Sequence, residues 1–283
     1  MASMVRTTPA RWQGAANLTW AFVERQTNLW KRYWGWEVVW LVYGVVNTLA
    51  VTFIAEEAGQ QQVTSAEGVQ QLVLFLLLGT LAWAYLSAVM DDISMVLTWE
   101  RWEGTIEHTL MAPVARALHL SGMVIFAILH ATTRTVLIGG IALLFFKVDF
   151  GTADWGATAL ILLVGSISAA GLAILAGVLP LLYPERGSQM TMVIQVTLLL
   201  VSGVYYSVDI LPRWMQVISY VSPLTYILDG IRAAIQDGAS VADLWRELVI
   251  LAASGAILVP AGMAVFGVAE RWAKKTGRLK RMG

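Results

Sequence analysis

Few side chains in this sequence can do chemistry, and most of them lie where enzymes do not put them. The three histidines, His108, His119 and His130, are spread out without ligand spacing, and no H-E-x-x-H occurs. There is no cysteine, which removes thiolate nucleophiles, Cys-ligated zinc and disulfides. A G-x-x-x-x-G-K-[ST] loop is missing, so the chain does not cradle and hydrolyse ATP by that route, and neither G-x-S-x-G nor a Ser/His/Asp set presents itself. Asp91 and Asp92 come nearest to an acidic site; they are either a metal or catalytic pair or solvated residues ending a helix. His130 and Arg134 are four apart, hence on one helix face, in the middle of an apolar run. An arginine there requires a partner. It contacts a cargo or a gate, or it is anchored to carbonyls or to a carboxylate of another helix, and the layout below places no acid at matching depth.

A second group of residues is built for contact. In the stretch from Trp99 to Pro113, Trp99, Trp102, Ile106 and Leu110 follow i, i+3, i+7, i+11, while Glu100, Glu103 and Glu107 occupy another face. Gly104 interrupts the helical pattern and Pro113 closes it. Such an acidic, aromatic element docks a soluble partner or is a solvated loop.

The elements that position these residues follow from composition. With 58% apolar and 13% charged residues, against about 25% charged in ordinary globular proteins, a water-soluble fold is excluded. Formal net charge is zero, so nothing global points to nucleic acid. A hydrocarbon core about 30 Å thick needs roughly 20 apolar residues as helix. Six stretches qualify, near 36–55, 69–90, 118–146, 157–183, 190–207 and 247–269, which predicts an all-α integral membrane protein with six transmembrane helices. Residues 1–35 then form a cytoplasmic N-terminus, 36–269 the membrane domain and 270–283 a basic cytoplasmic tail.

The positive-inside rule sets that orientation. Arg6, Arg11, Arg25, Lys31 and Arg32 precede the first span, and Arg271, Lys274, Lys275, Arg278, Lys280 and Arg281 follow the last. Arg101, Arg116 and Arg186 join them inside, leaving Lys147, Arg213, Arg232 and Arg246 outside. Trp30, Trp34, Trp36, Trp155, Trp245 and Trp272 fall near the predicted interfaces, where indole rings are favoured. No apolar h-region precedes the first span, so no signal peptide is expected.

Residues 14–34 read as an amphipathic helix. Leu18, Phe22, Val23, Leu29, Trp30, Tyr33 and Trp34 share one broad side, and Glu24, Arg25, Asn28, Lys31 and Arg32 the other. It lies along the inner membrane surface or packs against the protein's own loops. Between spans five and six, the pieces after Pro212 and Pro223 are too short to cross and fit two short helices dipping into the outer leaflet. There Asp229 and Arg232 can pair, and Ser240 with Asp243 resembles a cap. No span carries a central Asp or Glu, which weighs against an ion-coupled carrier.

The run Glu100-Arg101-Trp102-Glu103-Gly104-Thr105-Ile106-Glu107, followed by Leu110 and Pro113, resembles the coupling-helix signature of type-2 ABC exporter permeases. The order Ser202-Gly203, Leu211-Pro212, Ser222-Pro223-Leu224-Thr225 and Arg232 is similar to that family's signature before its last span. Trp102 departs from the pattern, since relatives more often carry a charged residue there. The resemblance implies a dimer of permease subunits in a bacterial or archaeal plasma membrane, driven by two cytosolic ABC ATPase subunits that bind ATP and Mg, with no cofactor in this chain. It implies that Glu100, Arg101, Glu103, Gly104, Thr105, Glu107 and Pro113 couple to the ATPase. It also implies that spans two and five line the path, with Trp83, Tyr85, Tyr205 and Tyr206 as the residues there; Arg134, from its position in span three, is a further candidate for the path. Aromatic walls suit a hydrophobic or amphipathic molecule such as a drug, antibiotic or lipid; a polysaccharide exporter of the same fold and a non-transporting membrane scaffold are the alternatives.

Overall fold

In the computed structural model, residues 11–62, 65–146, 148, 150–183 and 185–277 are described. The basic residues Arg6, Lys147, Arg278, Lys280 and Arg281 lie outside them. Uninterrupted apolar runs satisfy their backbone groups internally only as helices. Among the described residues there is no strand. The helices are α1 (Arg11–Arg32), α2 (Trp34–Gln62), α3 (Ala66–Ser94), α4 (Val96–Trp102), α5 (Ile106–Met111), α6 (Arg116–Phe145), α7 (Trp155–Leu182), α8 (Gly187–Val201), α9 (Arg213–Val221), α10 (Pro223–Gln236) and α11 (Trp245–Lys275).

Five of these, α2, α3, α6, α7 and α11, are long and apolar enough to cross a membrane. The stretch expected to be the fifth span, 190–207, instead gives the 15-residue α8, which ends at Val201. The cause is local. Gly203 takes φ +71°, a left-handed conformation that ends the helix, and a Cβ there would lie 2.9 Å from the Val208 side chain.

At the centre stands α7, against which α11, α3 and α10 pack. Small residues permit the approach. A Cβ on Gly171 would fall 2.6 Å from the Leu258 Cβ and 2.8 Å from its carbonyl carbon, so the α7 and α11 backbones nearly touch. The Ser168 hydroxyl donates across this interface to the Leu251 carbonyl at 2.6 Å. Farther along α7, Ile227 of α10 occupies the space beside Gly165.

The two ends of the bundle are distinguishable by their contacts. At one end α1, α4, α5 and the last turns of α11 meet, through Arg25 with Glu100 and Lys274 with the Leu110 carbonyl. At the other end the Ala234 carbonyl of α10 accepts from the Asp154 amide that opens α7. Before α11, the Ser240 hydroxyl and amide both donate to Asp243, holding its carboxyl below the usual range, but the turn they close lies ahead of the helix, whose first residue is Trp245. Helix α1 uses part of its apolar side on the protein itself: Val23 is buried and Phe22 sits on Gly122 of α6. Leu18, Trp20 and Trp34 remain exposed. Trp30, expected at an interface, turns inward and meets His130 edge-on at 5.8 Å.

Because a methyl at Gly171 meets backbone rather than a flexible side-chain end, Gly171→Ala is expected to cost about 1–3 kcal/mol. Gly267 has open space beside it, so Gly267→Ala should be neutral or mildly stabilising. Thermal melts of the two variants in detergent check the contrast, and equal midpoints would contradict the packing described.

Candidate coupling site

Helices α4 and α5 form a bent unit around Gly104, which takes φ +74°, a conformation costly for any residue with a side chain. The bend separates the sequence-derived acidic face into different environments. Glu100 is 1% exposed, and one carboxylate oxygen accepts from the Arg25 guanidinium at 2.7 Å and lies 3.7 Å from His119 Nε2. Arg25 reaches farther, donating to the Thr105 and Thr109 hydroxyls at 3.0 and 3.3 Å. It lies on the polar side of α1, yet that side is turned toward α4 and α5 here.

Arg101 is fully buried and donates to the Leu181 carbonyl at the end of α7 at 2.7 Å. Burial pulls its guanidinium below its usual pKa range. On α5, the orphan carbonyls of a short helix are taken by cations from neighbouring helices. Arg116 donates to the Thr109 and Leu110 carbonyls and grips both oxygens of Glu270 at 3.0 and 2.9 Å. Lys274 bonds the Leu110 carbonyl at 2.8 Å and Glu270 at 2.7 Å. Ile106 and Leu110 face the core, whereas Glu107, His108, Met111 and Pro113 are exposed. Glu103 accepts from the Tyr33 hydroxyl at 3.1 Å and borders a concavity of about 400 Å³ lined also by Glu24, Arg25, Asn28, Leu29 and Arg32.

A charged cluster adjoins this site. His130 on α6 places Nδ1 2.6 Å from Asp92 at the end of α3 and Nε2 3.0 Å from Glu37 at the start of α2. Only an imidazolium donates from both nitrogens, which matches a ring held between two carboxylates. Asp91 accepts from Gln195 of α8 at 2.7 Å, and Arg134 donates to the Trp40 carbonyl at 3.0 Å. The expectation that no acid lies at His130's depth is therefore corrected. The first turns of α6 extend past the ends of α2 and α3 to pack on α1, so a residue midway along α6 is level with the first turn of α2. That Glu37 opens one helix and Asp92 closes the next on the same side was the signal available in the sequence.

The residues expected along a pathway are not gathered on one surface. Tyr85 is buried between α3 and α7 with its hydroxyl 2.6 Å from that of Ser166, and Trp83 is half-buried against the core. Half-buried Tyr205 and Tyr206 follow the Gly203 turn, Tyr206 donating to the Leu200 carbonyl. Arg232 does not take Asp229 as its hydrogen-bond partner. Its guanidinium donates to the Gly203 and Val204 carbonyls at 2.9 and 2.7 Å and lies 3.6 Å from the centre of the Phe75 ring. A Cβ at Gly79 would come within 2.8 Å of that guanidinium, so α3 leaves room for the anchor.

The model of the ABC-2 type transporter family matches residues 17–235. Among curated proteins, the chain is similar to the Inner membrane transport permease YadH of Escherichia coli K12 and to that of Shigella flexneri. Each is 24% identical over 158 residues, covering 56% of this chain and 60% of the relative. The match thus spans about three fifths of the relatives' length.

Arg25→Ala leaves a buried Glu100 carboxylate without its cation, and a loss of about 3–5 kcal/mol of stability is expected. Arg25→Ala combined with Glu100→Gln should recover most of it, a non-additivity read from thermal unfolding in detergent. His130→Leu sets Asp92 and Glu37 side by side with no cation between them. Its melting midpoint should fall well below that of the exposed-site control His108→Leu, and equal midpoints would mean that the cluster holds nothing together.

Proposed function

Because the chain belongs to the ABC-2 type transporter family, we propose that it is the permease subunit of an ATP-driven exporter, powered by separate ATPase subunits that bind ATP and Mg. The α4–α5 unit carries this reading. Its tip, Glu107, His108, Met111 and Pro113, is open to a partner, while its base is tied to α1 by Glu100, to α7 by Arg101 and to α6 and α11 through Arg116 and Lys274. A push on the tip therefore reaches several helices at once. Nucleotide-driven closure of two ATPase subunits would bias the spans of two permeases between two arrangements.

On this reading the chain crosses the membrane six times. The segment before α2 and the last turns of α11 meet the same α4–α5 unit, which supports an even number of crossings, with α8 as the one beyond the five long helices. At 1.5 Å per residue α8 spans roughly 22 Å, short of a full crossing, and α9 and α10 complete that leaflet as re-entrant helices. The basic residues of α1 and the end of α11 support a cytoplasmic side for this end by the positive-inside rule, with both termini on the inner face of a plasma membrane. The aromatic residues near α3 and the Gly203 turn suit a hydrophobic or amphipathic cargo such as a drug, antibiotic or lipid.

The test is to reconstitute the chain with a candidate ATPase subunit and measure cargo-stimulated hydrolysis and transport in lipid vesicles. Glu103→Lys reverses a charge beside Arg32 and Tyr33, and Gly104→Trp forces a side chain onto the left-handed bend. Both are expected to cut transport at least several-fold while ATP hydrolysis and membrane insertion persist. Undiminished transport in both variants would remove α4–α5 from the coupling path, and absence of any ATPase association would end the exporter reading.

A further inference from the structure

Tyr33, Trp99 and Trp102 form an aromatic patch that the coupling contacts do not use. The Tyr33 ring lies 5.7 Å from Trp99 and 6.3 Å from Trp102, and the two indoles are 5.4 Å apart. Both tryptophans are exposed, Trp102 at 55%. Tyr33 joins α1 to α2, so the patch sits where a helix of crossing length leaves the hydrocarbon, and exposed Trp34 and Trp36 on the first turn of α2 continue it. Indole rings favour the headgroup level, where an apolar body and a polar N–H are both accommodated. Charge fits as well. At the patch Glu103 is engaged by the Tyr33 hydroxyl and lies 3.6 Å from Arg32, whose side chain remains 69% exposed beside exposed Lys31. A pair that long holds Arg32 weakly, leaving its donors available to phosphate.

We propose that Tyr33, Trp99, Trp102 and Arg32 form a headgroup-binding surface that seats the outer flank of α4 on anionic phospholipid, while the ATPase is left to the α5 tip. The coupling unit is then held between protein and membrane, and its swing is limited by the depth of two indoles in the lipid. This inference rests on the membrane-crossing role of α2 and stands apart from the direction and cargo of transport.

The chain has no cysteine, so Trp102→Cys and Glu107→Cys each carry a single nitroxide label. In vesicles of phosphatidylethanolamine and phosphatidylglycerol, the label at 102 should collide several-fold more with oxygen dissolved in lipid than with an aqueous nickel chelate. The label at 107 should show the reverse, and adding the ATPase should change 107 alone. Preferential collision of the 102 label with the chelate overturns the proposal, and its shielding by the ATPase would assign the patch to protein docking. The anionic component is read in phosphatidylcholine vesicles, where the lipid preference at 102 should fall; Arg32→Gln should abolish that lipid dependence. Identical readings in both lipids overturn the charge recognition. Absence of ATPase binding leaves the lipid reading intact, so the two conclusions fail separately.

Discussion

The Glu100 carboxylate, almost completely withdrawn from solvent, is paired with the Arg25 guanidinium at 2.7 Å, and a buried carboxylate deprived of its cation is strongly destabilising. That requirement ties the position of α1 to that of α4. Helix α1 runs through Tyr33 into α2, and α4 follows α3 across the single residue Met95, so one ion pair fixes the relation between the roots of two spans. The charged ring of His130 repeats the constraint at the same two helices, from α6. In each arrangement a buried group, Glu100 or the His130 ring, depends on partners that come from other helices.

Much of this architecture is legible in the sequence. Long apolar runs have one way to satisfy their backbones in lipid, and α2, α3, α6, α7 and α11 follow from that alone. Gly104 between aromatic-acidic pieces marks the bend that the structure places there. The shortness of α8 was not legible from hydropathy. Val204, Tyr205 and Tyr206 continue the apolar run beyond Gly203, but the backbone has already turned.

The partners of buried charges were hardest to read. Periodicity assigns Arg25 to a polar side of α1, but does not say whether water or another helix covers that side. His130 looked isolated because depth was counted along its own helix, whereas its acids come from the ends of two others. Glu100 and Arg101 stand in the same motif as the exposed Glu107, and only the packing separates residues that anchor the unit from residues left to meet a partner.

Arg232 holds the Gly203–Val204 turn by its backbone oxygens alone. Apart from Gly203, whose left-handed backbone excludes a side chain, the fastening is therefore indifferent to side-chain identity in the stretch it secures. Residues around Tyr205 and Tyr206 can be exchanged without touching the clasp, which separates the side chains displayed after the turn from the bonds that hold it. A turn fastened this way can change the side chains it displays while the fastening is carried over intact.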